Sequence, residues 1–242
     1  MKLLLIRHGD PDYAVDGLTP VGKREAEMLA ERIAPMDIAE YYVSTNGRAL
    51  DTARPTLEAA GRTAVRCDWL REFSIPVDRP DCDGMSMVPW DWLPQDWLAD
   101  PRFLDPERWH ENPVFAARDV KGAYDRVIAA FDGVLAEHGY VREGRYYRAE
   151  RPNAQTLAFF CHFGLSCVLM SRLMNVSPMV LWHGLAMAPT AVTTVSTEER
   201  RPGVASFRAA AVGDISHLYV HGQEPSFSAR FCEIYGNGQR QD

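Results

Sequence analysis

Two histidines stand where chemistry could be done. The chain opens MKLLLIRHGDPDY, in which the apolar residues 3–6 pass at once into Arg7, His8 and Gly9. A second apolar run, TLAFFC at 156–161, leads into His162, Phe163 and Gly164. Each run reads as a strand buried on both faces. Ligands of open α/β sheets bind beyond the carboxyl ends of such strands. A glycine within two residues of each histidine lets the backbone approach a ligand closely. One strand-end histidine is more often structural than catalytic, but two at equivalent ends point to one crevice if the strands are central neighbours.

The cations point the same way. Of 26 basic residues, 23 are Arg and only Lys2, Lys23 and Lys121 are Lys. Guanidinium grips phosphate or carboxylate with two parallel hydrogen bonds, so some of these arginines are candidates for oxyanion binding. The plain alternative is genomic codon bias. The net charge of -7 disfavours generic binding to nucleic acid or to an anionic membrane. Five cysteines, Cys67, Cys82, Cys161, Cys167 and Cys232, are odd in number and irregularly spaced, with no C-x-x-C. That argues against a disulfide framework or zinc site and for a reducing, cytoplasmic setting. The four apolar residues before Arg7 are too few for a signal core, and no run is long enough to span a membrane.

The elements that must position these residues alternate. Strands are expected at 2–6, 41–43, 64–67 and 156–161. Helices are expected from Thr19-Pro20 to Pro35, from Arg48 to Ala60 with Gly61 at its end, over 120–138, and over 165–174. A hairpin is expected over 140–150 through Glu143-Gly144, and period-2 strands at 192–197 and 204–212. The expected fold is a three-layer α/β/α sandwich on a mostly parallel sheet. It forms a single domain over 1–242 of 242 residues, a length that can bury a sizeable core. Residues 73–118 break the rhythm. They are thick in Pro, Asp and Trp, with Trp90, Trp92, Trp97 and Trp109 inside and Trp69 just before. They read as an insertion after the third strand, serving either as a pocket cover, with Trp90, Trp92 or Trp97 lining it, or as a small satellite core. The tail GNGQRQD is expected to be disordered.

The sequence resembles the histidine phosphatase superfamily, the phosphoglycerate-mutase-like proteins. Arg7-His8-Gly9 matches the signature that ends the family's first strand. GLTPVGKREAEMLAERI is similar to its Leu-Thr-x-x-Gly-x-x-Gln-Ala helix start, with Glu25 where Gln is usual. STNGRALDTA, residues 44–53, is similar to its Ser-x-x-x-Arg-Ala-x-x-Thr-Ala segment and places the second family arginine at Arg48. LRE, residues 70–72, places the acidic proton donor at Glu72. His162 matches the second catalytic histidine, although the usual His-Gly is here His-Phe-Gly.

The resemblance implies a phosphatase that needs no metal and no cofactor, acting on a small phosphorylated substrate. His8 would attack as neutral imidazole and form a phosphohistidine. Arg7, Arg48 and a protonated His162 would cradle the transferring phosphoryl group, and Glu72 would protonate the leaving oxygen. Gly9, Phe163 and Trp90 are expected beside the substrate. Asp78, Asp81, Asp83 and Glu111 are alternative donors, because the loop after Glu72 departs from the family's glycine-containing pattern. Arg54 and Arg71 would reach the pocket or pair with acids. His183 and His221 read as structural or surface residues, His110 and His138 as exposed. A phosphoglycerate mutase is a second reading, weakened because Asp10-Pro11-Asp12-Tyr13 replaces the mutase Glu-Ser-x-Trp-Asn. A non-catalytic module binding a phosphorylated ligand is a third. The expected assembly is a monomer or homodimer, and the segment 188–195 is either an interior strand or a dimer edge.

Overall fold

The computed structural model describes residues 1–83 and 85–228. Cys232 and the tail from residue 236 lie outside them. Eight strands form one sheet: β1 (Lys2–Arg7), β2 (Glu40–Ser44), β3 (Val65–Cys67), β4 (Tyr140–Glu143), β5 (Tyr146–Ala149), β6 (Thr156–Cys161), β7 (Val192–Arg201) and β8 (Val204–Asp214). Their order is β3-β2-β6-β1-β7-β8-β5-β4. The first four in that order run parallel, and from β7 onward the pairing is antiparallel. The sheet is therefore mixed, and parallel in the half that ends in the two histidines. β7 lies between β1 and β8, so the apolar segment leading into it is interior and not a dimer edge.

The alternation of side chains explains the layers. Leu3, Leu5, Tyr42, Leu157 and Phe159 join one core with helices α3 (Val120–Glu137) and α4 (Phe163–Met174). Leu4, Ile6, Tyr41, Val43, Ala158 and Phe160 join the other with α1 (Pro20–Ile33) and α2 (Gly47–Ala60). Leu3 to Ile6 are all at most 2% exposed. Each such side chain stabilises by roughly 1.5–3 kcal/mol as an upper estimate, so β1 is held rigidly by both layers.

Thr19 caps α1 as expected. Its hydroxyl accepts the Gly22 N–H at 3.0 Å and donates to Asp10 Oδ2 at 2.7 Å. The cap thus ties α1 to the loop that follows His8. Thr19→Ala is expected to cost about 1–2 kcal/mol of stability in urea unfolding, with no change in the slope of the transition.

Residues 73–118 form short pieces: a hairpin of Val77–Asp78 with Ser86–Met87, helical turns at Pro94–Trp97 and Pro113–Ala116, and 3-10 turns at Pro101–Leu104 and Trp109–Glu111. Trp92, Phe103, Trp109 and Phe115 are buried against one another, with Trp109 also against Tyr124 of α3. Arg79 and Asp81 form a buried ion pair, and the Arg79 guanidinium also donates to the Trp90 and Asp91 carbonyls. The reading as a separate satellite core is corrected: these aromatics are continuous with the main core. Trp92 and Trp109 belong to the main core that the sheet shares with α3 and α4, and Trp97 stacks on His183 at 4.8 Å. Trp90 alone of the three named tryptophans reaches the site described next.

Candidate active site

Parallel pairing of β1 with β6 sets Arg7 opposite Cys161, so the residues leaving the two strands are neighbours. The His8 N–H donates to the Cys161 carbonyl at 3.0 Å, and the two imidazole centroids are 5.1 Å apart. His8 Nδ1 lies 2.7 Å from the Gly9 carbonyl oxygen. A carbonyl only accepts, so Nδ1 carries the proton and Nε2 keeps its lone pair. Gly9 is required by packing: a Cβ there would lie 2.8 Å from the Gly22 carbonyl oxygen at the start of α1. Its N–H donates to Thr52 Oγ1 at 2.9 Å, which fastens the loop to α2.

The arginines arrive from two elements. Arg7 is 2% exposed and donates to the Met187 carbonyl and, at 3.0 Å, to the Ser228 carbonyl. Arg48 sits in the first turn of α2, paired with Asp16 at 2.5 Å and with its guanidinium 5.5 Å from the Tyr13 ring centre. Asp16 also accepts the Gly47 N–H at 2.8 Å, so one carboxylate fixes both the helix start and the arginine. Arg48 Nε is buried with no hydrogen-bond partner. His162 is in the same condition: Nε2 lies 2.9 Å from Ser44 Oγ, while Nδ1 is buried and unpartnered.

Glu72 closes the site from the other side. Oε1 accepts the N–H groups of Phe73 at 2.8 Å and Leu165 at 2.9 Å, and Oε2 lies 3.4 Å from the Gly164 N–H. The carboxyl thus caps α4, whose own first residue has no local side-chain cap. A Cβ on Gly164 would meet Trp90 Nε1 at 2.6 Å and Glu72 Oε1 at 2.8 Å, so glycine is needed for all three to converge. Trp90 donates to the Phe73 carbonyl at 2.9 Å and meets the Phe163 ring at 5.6 Å between centroids. Three of the four rival acids are engaged elsewhere: Asp81 with Arg79, Asp78 with Arg118, and Glu111 with Arg108.

Burial sets the charge states. It holds His8 well below the ordinary imidazole range, with Arg7 and Arg48 adding to the effect. It raises Glu72 above the ordinary carboxyl value, against the pull of its N–H donors and both arginines. It also holds His162 well below its usual value, with His8, Arg48, Arg7 and Arg71 adding to the effect. Desolvation and the neighbouring basic groups therefore favour the neutral form of His162 in the free site.

Two of the remaining histidines are tied into the fold. His183 accepts the Trp92 N–H at 3.0 Å, and burial lowers its pKa to about 4. His138, expected to be exposed, is partly buried against Tyr42 and Gln155. Arg54 pairs with Asp51 on the exposed face of α2. Asp16, Ser44 and Thr52 were not singled out in the sequence; Ser44 and Thr52 lie inside the segment matched to the family, but nothing local reveals their partners. Four cysteines, Cys67, Cys82, Cys161 and Cys167, are free thiols. Among the described residues no helix is long and apolar enough to cross a membrane.

Comparison with known proteins gives the family. Residues 3–209 match the sequence profile of the histidine phosphatase superfamily, branch 1. A probable phosphatase of Schizosaccharomyces pombe is 33% identical over 98 residues, 36% of this chain and 45% of that protein. A 2,3-bisphosphoglycerate-dependent phosphoglycerate mutase of Thermoplasma acidophilum is 34% identical over 86 residues, 31% of this chain and 43% of that protein. The chain thus matches less than half the length of these curated relatives. Phosphoserine phosphatase of Entamoeba histolytica, in a mutant complex with phosphoserine, superimposes with a TM-score of 0.58 at 18% identity, covering 90% of this chain and 98% of that one. Mycobacterial glucosyl-3-phosphoglycerate phosphatase with VO3 gives 0.57 at 20%, covering 88% and 98%. These structures share the fold, and the profile extends from the first strand to β8: the chain belongs to the histidine phosphatase superfamily, branch 1.

Proposed function

We propose that the protein is a metal-independent phosphatase that hydrolyses a small phosphomonoester through a phosphohistidine on His8. The observation that carries this reading is the fixed His8 tautomer, with Nε2 left nucleophilic, set among Arg7, Arg48 and His162. The orphan donor at Arg48 Nε and the unpartnered His162 Nδ1 are the kind of groups a phosphate dianion would satisfy.

In the first step the His8 Nε2 lone pair forms the N–P bond as the P–O bond to the leaving group breaks. The leaving oxygen takes the proton of Glu72, whose carboxyl pKa burial raises. Arg7 and Arg48 stabilise the equatorial oxygens throughout. The phosphate's charge offsets the arginines and favours a proton on His162, which then adds to the cradle. In the second step Glu72, now a carboxylate, takes a proton from water. The water oxygen bonds to phosphorus, the N–P bond breaks, and the electron pair returns to Nε2.

Phosphoserine and glucosyl-3-phosphoglycerate, named for the structural relatives, belong to the substrate class to test, as small phosphomonoesters carrying a carboxylate. The free thiols fit a reducing compartment, and we place the protein in the cytoplasm on that ground. The test is hydrolysis of an aryl phosphate with EDTA present. Turnover that survives EDTA, with label from a phosphorus-32 substrate trapped on the protein, is the expected result. Turnover that EDTA abolishes and metal restores would overturn the mechanism.

A further inference from the structure

The catalytic histidines lie deep: Arg7 and His8 are each 2% exposed and His162 is 0% exposed, whereas Arg48 and Glu72 are partly exposed. The segment 223–228 reaches this group. It follows the short helix Ser216–Val220, and Gly222, with φ of 63°, turns the chain back toward α1. The Ser226 N–H then donates to Glu25 Oε1 at 3.1 Å, and the Ser228 carbonyl accepts from Arg7 Nη2 at 3.0 Å. That guanidinium nitrogen is one that a phosphate oxygen would need.

Glu25 is fully buried in α1, and its other oxygen, Oε2, accepts the Asp10 N–H at 2.8 Å. One carboxylate therefore holds two backbone N–H donors, one from the loop after His8 and one from the 223–228 segment. Only a carboxylate presents an acceptor oxygen to each donor; in the same geometry a glutamine would turn its amide N–H groups toward one of them.

We propose that Glu25 is a positioning residue that latches residues 223–228 over the phosphate site, so that the substrate phosphate binds by displacing the Ser228 carbonyl from Arg7. This rests on the phosphatase reading and adds a regulated entrance to it. The segment acts as an internal competitor of phosphate. Weakening its latch strengthens phosphate binding, whereas a Glu25 that merely supported the loop would weaken binding or turnover when replaced.

The experiment uses the full chain and inorganic phosphate. Wild-type protein is digested with chymotrypsin, and cleavage between Phe227, which is 54% exposed, and Ser228 is followed by mass spectrometry. Phosphate is expected to speed this cut, the reverse of ordinary ligand protection. Ser226→Pro removes the donor to Glu25 and leaves the Glu25 bond to the loop after His8 in place, and Glu25→Gln removes one of the two acceptors. Each is expected to lower the phosphate inhibition constant and the KM together, by roughly two- to tenfold, the worth of one hydrogen bond, with kcat held. Ser226→Pro keeps the test open if Glu25→Gln does not fold. Protection of Phe227 by phosphate, or inhibition constants that stay constant or rise in the folded variants, would overturn the latch. His8-dependent hydrolysis that phosphate inhibits, with the Phe227 cut unchanged, removes the latch alone. Absence of His8-dependent hydrolysis removes the phosphatase reading and the latch with it.

Discussion

Replacing His8 by alanine is expected to lower kcat for an aryl phosphate by about 10⁴-fold or more, the scale on which loss of a covalent nucleophile acts. Nothing nearby can take over the attack. His162 is the other imidazole at the site, but Ser44 holds its Nε2, and its ring, just past the end of the adjacent strand, has its centroid 5.1 Å away. The loss should also exceed that of His162→Ala, which removes one donor from the cradle and is expected to cost about 10²–10³-fold. The two variants separate further on labelling: His162→Ala still carries phosphorus-32 from substrate, and His8→Ala carries none. The fold tolerates the change, because β1 is anchored by Leu3 to Ile6 and His8 contributes one side-chain hydrogen bond, to the neighbouring Gly9 carbonyl. The check is rapid-quench labelling beside steady-state kinetics on protein whose urea transition is intact. Activity within tenfold of wild type in His8→Ala would remove the phosphohistidine.

Why His8 and His162 could be found in the sequence, and their supports could not, follows from what is local. A strand buried on both faces writes itself as an uninterrupted apolar run, and the residue at its carboxyl end is then known. Thr19, Gly61 and Gly139 likewise announce helix ends by their own chemistry, and all three stand at helix ends in the structure. The supports are long-range. Ser44 reaches His162 across 118 residues, Thr52 reaches Gly9 across 43, and Ser226 reaches Glu25 across 201. No periodicity encodes such pairings. The start of α4 shows the same limit: its first N–H groups are capped by Glu72, more than 90 residues away, so the helix begins two residues earlier than local signals indicate. The Trp-rich stretch 73–118 was opaque because it is built of short turns around Trp92, Phe103, Trp109 and Phe115, each too brief to establish a repeat.

Glu72→Gln separates the two halves of the reaction. Glutamine keeps the oxygen that accepts from Phe73 and Leu165, so α4 stays capped, and it replaces the oxygen that is only loosely held, 3.4 Å from the Gly164 N–H. What is lost is the proton. An alkyl phosphate has a poor leaving group and needs that proton, so its turnover is expected to fall about 10²–10⁴-fold. A nitrophenyl phosphate leaves unaided. With it, the first step persists, while the second slows because no carboxylate remains to accept the proton of water. The expected trace is a burst of nitrophenolate equal to the enzyme concentration, followed by a slow steady state. The pH profile for an alkyl phosphate gives an independent check. Glu72 must be protonated to act, so kcat/KM falls as pH rises through its pKa, and burial places that limb above the ordinary carboxyl value. His8 must be neutral, so activity falls as pH drops through a pKa held below the ordinary imidazole value. Glu72→Gln should erase the alkaline limb and leave the acid one. Loss of both limbs, or an equal loss on alkyl and nitrophenyl phosphates without a burst, would assign the proton to another group.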